Sequence, residues 1–229
     1  PEGESKTRSR KWYGGYFITL WTRDGKLITR DAVEGKGIGD GAYMDRDGNI
    51  YTVQGGAALP GQKGMYGITD YAGGWAGGGC LIKFRGQGGK YPLNTGPGAQ
   101  AFFRLNGKPK EVPGALWVYG GLIGLTGGDC CCHHVRFEMD RHARMWIPAG
   151  HVAGVMVIDA NSNSIARFGR YGNVDDTDAD LKEKKDGLRF VWPRAVVASE
   201  SAMYVMDPTA RRILKAALTY AAEETVPVP

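Results

Sequence analysis

Residues 130–173 read CCCHHVRFEMDRHARMWIPAGHVAGVMVIDANSNSIARFGRYGN. Most of this stretch decides the fold. Short apolar runs at 134–139, 145–147, 154–158 and 164–168 follow one another, with polar turns at 140–144 and 159–163. Runs this short, rich in Val, Ile, Met and aromatics and broken by Asp, Asn and Gly, predict four strands in succession. The stretch also holds three of the four cysteines and, counting His142 and His151, all four histidines. It is therefore the first place to look for chemistry.

Outward from it the same unit recurs. GAYMDRDGNIYTV (41–53), VRFEMDRHARMWIP (135–148) and RAVVASESAMYVM (194–206) each give a strand, a polar turn, and a second strand opening on an apolar–aromatic pair. Those pairs are Ile50-Tyr51, Met145-Trp146 and Met203-Tyr204. The pieces YFITLWTRDGKLITR (16–30), CLIKFRGQGG (80–89) and GVMVIDANSNSIARFG (154–169) share a strand–turn–strand tail. In the first of these the Asp24-Gly25 turn supplies the positive φ that a hairpin needs. Four short strands per repeated unit is the signature of a β-propeller blade.

The unit resembles the NHL-type propeller repeat. Pro193 before the 194–198 strand, Asp207 after Tyr204-Val205, and Arg211-Arg212-Ile213 match its pattern, as do Asp47-Gly48-Asn49-Ile50-Tyr51 and Ile158-Asp159. The resemblance implies an all-β chain of four-stranded antiparallel blades with two long Gly-rich insertions, at 55–79 and 86–129. Residues 12–220 would form a partial propeller: outer strands at 15–31 and blades at 37–105, 132–169 and 191–218. Strand-like runs also occur within the second insertion, at 101–105 and 116–119. Residues 212–218 fit a strand or a short helix equally well by period. Propellers close with about 4–8 blades, so the expectation is of the C-terminal blades of a larger propeller. The rest would come from a cleaved but still bound segment or from another chain.

Glycine, at 36 of 229 residues, is about twice its usual share of ~7% and agrees with a fold of many turns. No run of about 18 apolar residues offers a membrane-spanning helix. The formal charge is +5. Part of it lies in Lys6, Arg8, Arg10 and Lys11, in a basic tail (1–11) expected to be disordered. Residues 221–229 read as an extended tail. A basic face raises RNA binding, as in some NHL domains, but no aromatic-rich RNA motif accompanies it, and nucleic acid is disfavoured as a partner. Protein chains or the remaining blades are the expected partners. No charged-then-apolar leader opens the chain, which starts at Pro1 and reads as a mature or trimmed piece. The propeller type and that trimming suggest a periplasmic or extracellular location.

The chemistry candidates begin with Cys130, Cys132, His133 and His134, soft and borderline ligands suited to Zn or Cu. Neighbours on a strand point to opposite faces, so the run needs further ligands such as His151 or Cys80. The competing reading is a disulfide among Cys80, Cys130, Cys131 and Cys132. Cys130-x-Cys132-His133 is one residue short of Cys-x-x-Cys-His, so covalent haem is not expected. Some NHL-like propellers are metal-dependent lyases or lactonases with histidines spread over several blades; here all four lie within 133–151. Asp45-Arg46-Asp47-Gly48-Asn49 alternates carboxylates but lacks the other ligands of a calcium loop, and reads as a hairpin turn. Trp75, Trp117 and Tyr119 are candidates for partner contact. Three function readings stand: an interaction or assembly module, a metal- or cofactor-dependent enzyme or electron-transfer protein using residues 130–134, and RNA binding through a basic face.

Overall fold

A computed structural model describes residues 18–34, 41–55, 78–90, 109–123, 136–175 and 187–219. Their regular secondary structure is almost all strand. A hairpin, β1 (Leu20–Trp21) and β2 (Leu27–Thr29), comes first. A four-stranded meander follows: β4 (Ala42–Met44), β5 (Ile50–Gly55), β6 (Gly78–Phe84) and β8 (Ala115–Ile123). A second meander contains β9 (Glu138–Met139), β10 (Met145–Ala149), β11 (Gly154–Ile158) and β12 (Ser164–Phe168). The third sheet has three strands, β15 (Ala195–Ala198), β16 (Ala202–Asp207) and β17 (Arg212–Ala217). All three sheets are antiparallel, with neighbours in sequence paired in space. Two short parallel pairs stitch connections together: β3 (Val33–Glu34) with β7 (Gly89–Lys90), and β13 (Arg170–Tyr171) with β14 (Arg189–Phe190).

The fourth strand of the first sheet lies inside what reads in the sequence as an insertion. Val118 is buried while Trp117 and Tyr119 are half-buried on the other side, the period-2 pattern of a strand covered on both faces. Residues 101–105, the other strand-like run there, lie outside the described residues. Residues 212–217 settle as strand because they complete a six-residue ladder with β16.

One turn geometry recurs. In the turns starting at Thr22, Asp45, Asp140 and Asp159, the first residue's N–H donates to the carbonyl four residues on, at 2.8–3.0 Å. Its carbonyl accepts from the N–H three residues on, at 2.9–3.2 Å. That fourth residue has positive φ every time: Gly25 (85°), Gly48 (80°), Ala143 (54°) and Ser162 (69°). This is a type I turn followed by a left-handed residue, a standard short hairpin loop. The turns can be superposed by count, and so can the strands around them. Tyr51, Trp146 and Tyr204 occupy one equivalent position, pairing across to Lys83, Val157 and Lys215. Leu81, Val155 and Ile213 occupy another, two residues away on the third strand.

The core lies between sheets. Ile18 and Leu20 from the hairpin segment, with Ala32 and Val33, pack on Ile50, Ile82, Phe84 and Val118 of the first sheet. Its other face (Tyr51, Leu81, Tyr43, Trp117) meets Phe137, Met145, Ile147 and Ile158 of the second. Trp146, Val155 and Val157 on the far side of the second sheet meet Val196, Met203 and Val205 of the third. Phe190 seals this last layer, and Gly169 (φ +92°) sits directly under its ring, where a Cβ would collide. Each of the first two sheets is thus covered by its successor in the chain. Both faces of the first two sheets are apolar for that reason.

Candidate functional site

Three features have functional potential: the turn carboxylates, a Tyr–Glu pair joining the first two sheets, and the far face of the third sheet.

The carboxylates are committed internally. Asp45 Oδ1 accepts from the N–H groups of Asp47 (3.0 Å) and Asn49 (2.9 Å), and Oδ2 accepts from Asn49 Nδ2 (2.9 Å) and the Tyr51 hydroxyl (2.9 Å). Asp140 repeats this. Its Oδ1 accepts from His142 and Arg144 N–H, and its Oδ2 from Arg144 Nε (2.6 Å) and Trp146 Nε1 (3.0 Å). Asp159 does the same with Asn161 and Asn163. Burial pushes the Asp45 and Asp140 carboxyls up, but these donors outweigh it and hold both below the ordinary aspartate value. The donors fill the lone pairs of Asp45 that a calcium ion would need, so Asp45 acts as a turn nucleator.

The Tyr43 hydroxyl bridges the first two sheets, its one proton shared between two acceptors, the Phe137 carbonyl (3.1 Å) and Glu138 Oε2 (3.2 Å). Burial raises the Glu138 carboxyl above its ordinary value and Asp140 adds to the effect, against the opposing Tyr43 hydrogen bond. The Tyr43 hydroxyl is raised too, by burial and then by Glu138. Among the described residues, no group of three His, Cys, Asp or Glu side chains could hold a metal ion.

The third feature is a face. Tyr51 and Trp146 are 0% and 2% exposed, because the next sheet covers them. Their counterpart Tyr204 is 39% exposed, and around it Met206 is 42%, Val197 55% and Ile213 71%. Met203 and Val205, on the other side of the same strand, are fully buried. Lys215 lies over the Tyr204 ring at 5.6 Å, as Lys83 lies over Tyr51 at 5.0 Å. The third sheet therefore carries the inter-sheet side chains of the other two with no sheet among the described residues to receive them.

Cys130, Cys131, Cys132, His133, His134 and Trp75 lie outside the described residues. Cys80 is on β6, opposite Gln54 and Gly120, and His151 is in a one-turn 3-10 helix between β10 and β11, on a different sheet. Trp117 donates its indole N–H to the Ala160 carbonyl (2.9 Å) and stands edge-on to Tyr51 at 5.8 Å. With Tyr119 it packs against the second core layer, so both serve contact between sheets of this chain. The residues of the open face were not singled out from sequence. Their signal was there: Ala202-Met-Tyr-Val-Met206 is apolar on both alternating sides, as a strand covered on two faces requires. The class that the fold defines is an all-β chain of repeated antiparallel sheets packed face to face. No protein-family model matches this sequence, and no curated protein matches it.

Proposed function

We propose that this chain is a β-propeller interaction and assembly module, a run of consecutive NHL-like blades belonging to a larger or multi-chain protein. The observation that carries the reading is the third sheet, whose outer face repeats the interface positions of the first two and meets no sheet among the described residues. An apolar face shaped for a sheet is the kind of surface that marks a protein–protein contact. The committed turn carboxylates and the internal use of Trp117 support a binding role over a catalytic one for the described part of the chain. Light scattering on the purified protein, combined with binding of an apolar dye, tests it. The expected result is a particle heavier than one 24.8 kDa chain, with dye binding that falls as the particle assembles. A single-chain particle that ignores the dye at every concentration contradicts the reading.

A further inference from the structure

We propose that two copies of this chain pair head to tail, with the open face of the β15–β17 sheet of each on the outer face of the β1–β2 hairpin of the other. The proposal rests on the assembly reading and names its partner.

The turns set the correspondence. Thr22 stands where Asp159 stands, since both open the same hydrogen-bonded loop. Counting back, Ile18, Leu20 and Trp21 correspond to Val155, Val157 and Ile158. The packing agrees. Ile18 and Leu20 lie against the first sheet as Val155 and Val157 lie against the third. The hairpin is therefore the outer half of a unit preceding the first sheet. Ile158 is fully buried in the layer that holds Tyr51 and Leu81. Its counterpart Trp21 is 57% exposed, and Ile28 on the partner strand is 49% exposed. Tyr204 and Ile213 are the counterparts of Tyr51 and Leu81. The two open surfaces are thus the two halves of one contact that the molecule already makes internally.

The polar contacts correspond as well. Lys83 Nζ reaches the Ala160 carbonyl at 3.4 Å across the first two sheets. Lys215 is the counterpart of Lys83, and Arg23 supplies the carbonyl that matches Ala160. Beside it Asp24, with a side chain 65% exposed, offers a carboxylate to Lys215. The surfaces are different, so the contact is heterologous, and such contacts close a ring when the rotation allows. Among the described residues, two copies supply two hairpins and six sheets of three or four strands, a number of units within the ~4–8 blades of closed propellers.

Sedimentation velocity on the whole chain tests this, with Trp21→Glu, Ile213→Glu and, as a control at another exposed site, Tyr171→Glu. Far-UV circular dichroism and a thermal melt check that each variant folds; all three side chains are exposed, so none removes core packing. The expected result is a particle of twice 24.8 kDa for the wild type and the control. Trp21→Glu and Ile213→Glu should each be single chains alone, and pair again when mixed, because the mixture restores one intact contact. Pairing abolished by Ile213→Glu but untouched by Trp21→Glu would overturn the head-to-tail arrangement. So would a mixture that stays as single chains. A complex in which a different polypeptide covers Ile213 also overturns it and leaves the assembly reading standing. A lone chain at all concentrations sinks both.

Discussion

Asp140 shows how much one side chain carries. It satisfies two turn amides, the Arg144 guanidinium and the Trp146 indole. Removing it orphans several half-buried donors, each costing about 1–3 kcal/mol. Asp140→Ala should destabilise the chain by about 3 kcal/mol in urea unfolding, and Asp140→Asn by roughly half of that, since an amide oxygen keeps part of the set. The pH dependence has a definite sign. A carboxyl held below its ordinary value of 3.8 contributes fully above that pH, and the contribution is lost as pH falls through the lower folded value. The Asp140→Ala deficit should therefore shrink in strong acid. Glu138 runs the other way. Its carboxyl is raised from 4.5, so the folded chain favours the neutral form, and that stabilisation is complete below 4.5 and lost as pH rises through the folded value. Glu138→Gln should raise the melting temperature at pH 7 and give no gain at pH 4. A gain equal at both would place the burden on packing instead of charge.

At the scale of the element, the hairpin loops are legible in the sequence, because Asp-x-x-Gly-Asn and its variants encode a turn with a left-handed fourth residue. The departures from glycine are informative. Ala143 and Ser162 adopt φ of 54° and 69° where Gly25 and Gly48 stand in the sister turns. A side chain in that region costs roughly 1 kcal/mol. Ala143→Gly should stabilise the chain by about 0.5–1 kcal/mol, the gain being smaller than the strain because glycine loses more freedom on folding. Chemical denaturation with an unchanged slope would confirm it; a loss of stability would mean that the Ala143 methyl packs. The fourth strand of the first sheet was harder to read. Residues 85–114 separate β6 from Ala115–Ile123, and nothing local in the sequence announces which distant strand it will join. The two-residue parallel pairs were invisible for a related reason: they are fixed by the connections they tie, and two residues have no period. The expected Cys/His site stayed a matter of residue types alone, because ligand geometry depends on which strands are brought together.

At the scale of the whole molecule, stability and assembly share one set of positions, and a matched pair of substitutions separates them. Trp146 and Tyr204 are equivalent by register, yet one is sealed by the next sheet and the other is open. Trp146 also stacks on Phe168 at 5.7 Å and anchors the layer with Val196, Met203 and Val205. Trp146→Ala removes a large buried ring and should cost about 3–5 kcal/mol of unfolding free energy regardless of protein concentration. Tyr204→Ala removes a ring already partly in water, so on a dilute single chain it should cost under about 1 kcal/mol, in line with substitutions away from the core. When samples are concentrated the two should converge. The wild type gains stability as its open face is covered, because association stabilises the folded state by mass action, and Tyr204→Ala forfeits that increment. Melting temperatures measured over a concentration series decide it. The wild-type value should climb while that of Tyr204→Ala stays flat, and that of Trp146→Ala should be low but climb in parallel with the wild type. A wild-type melting temperature independent of concentration would mean that the third sheet keeps its apolar face in water, and equivalence of position would then no longer imply equivalence of role.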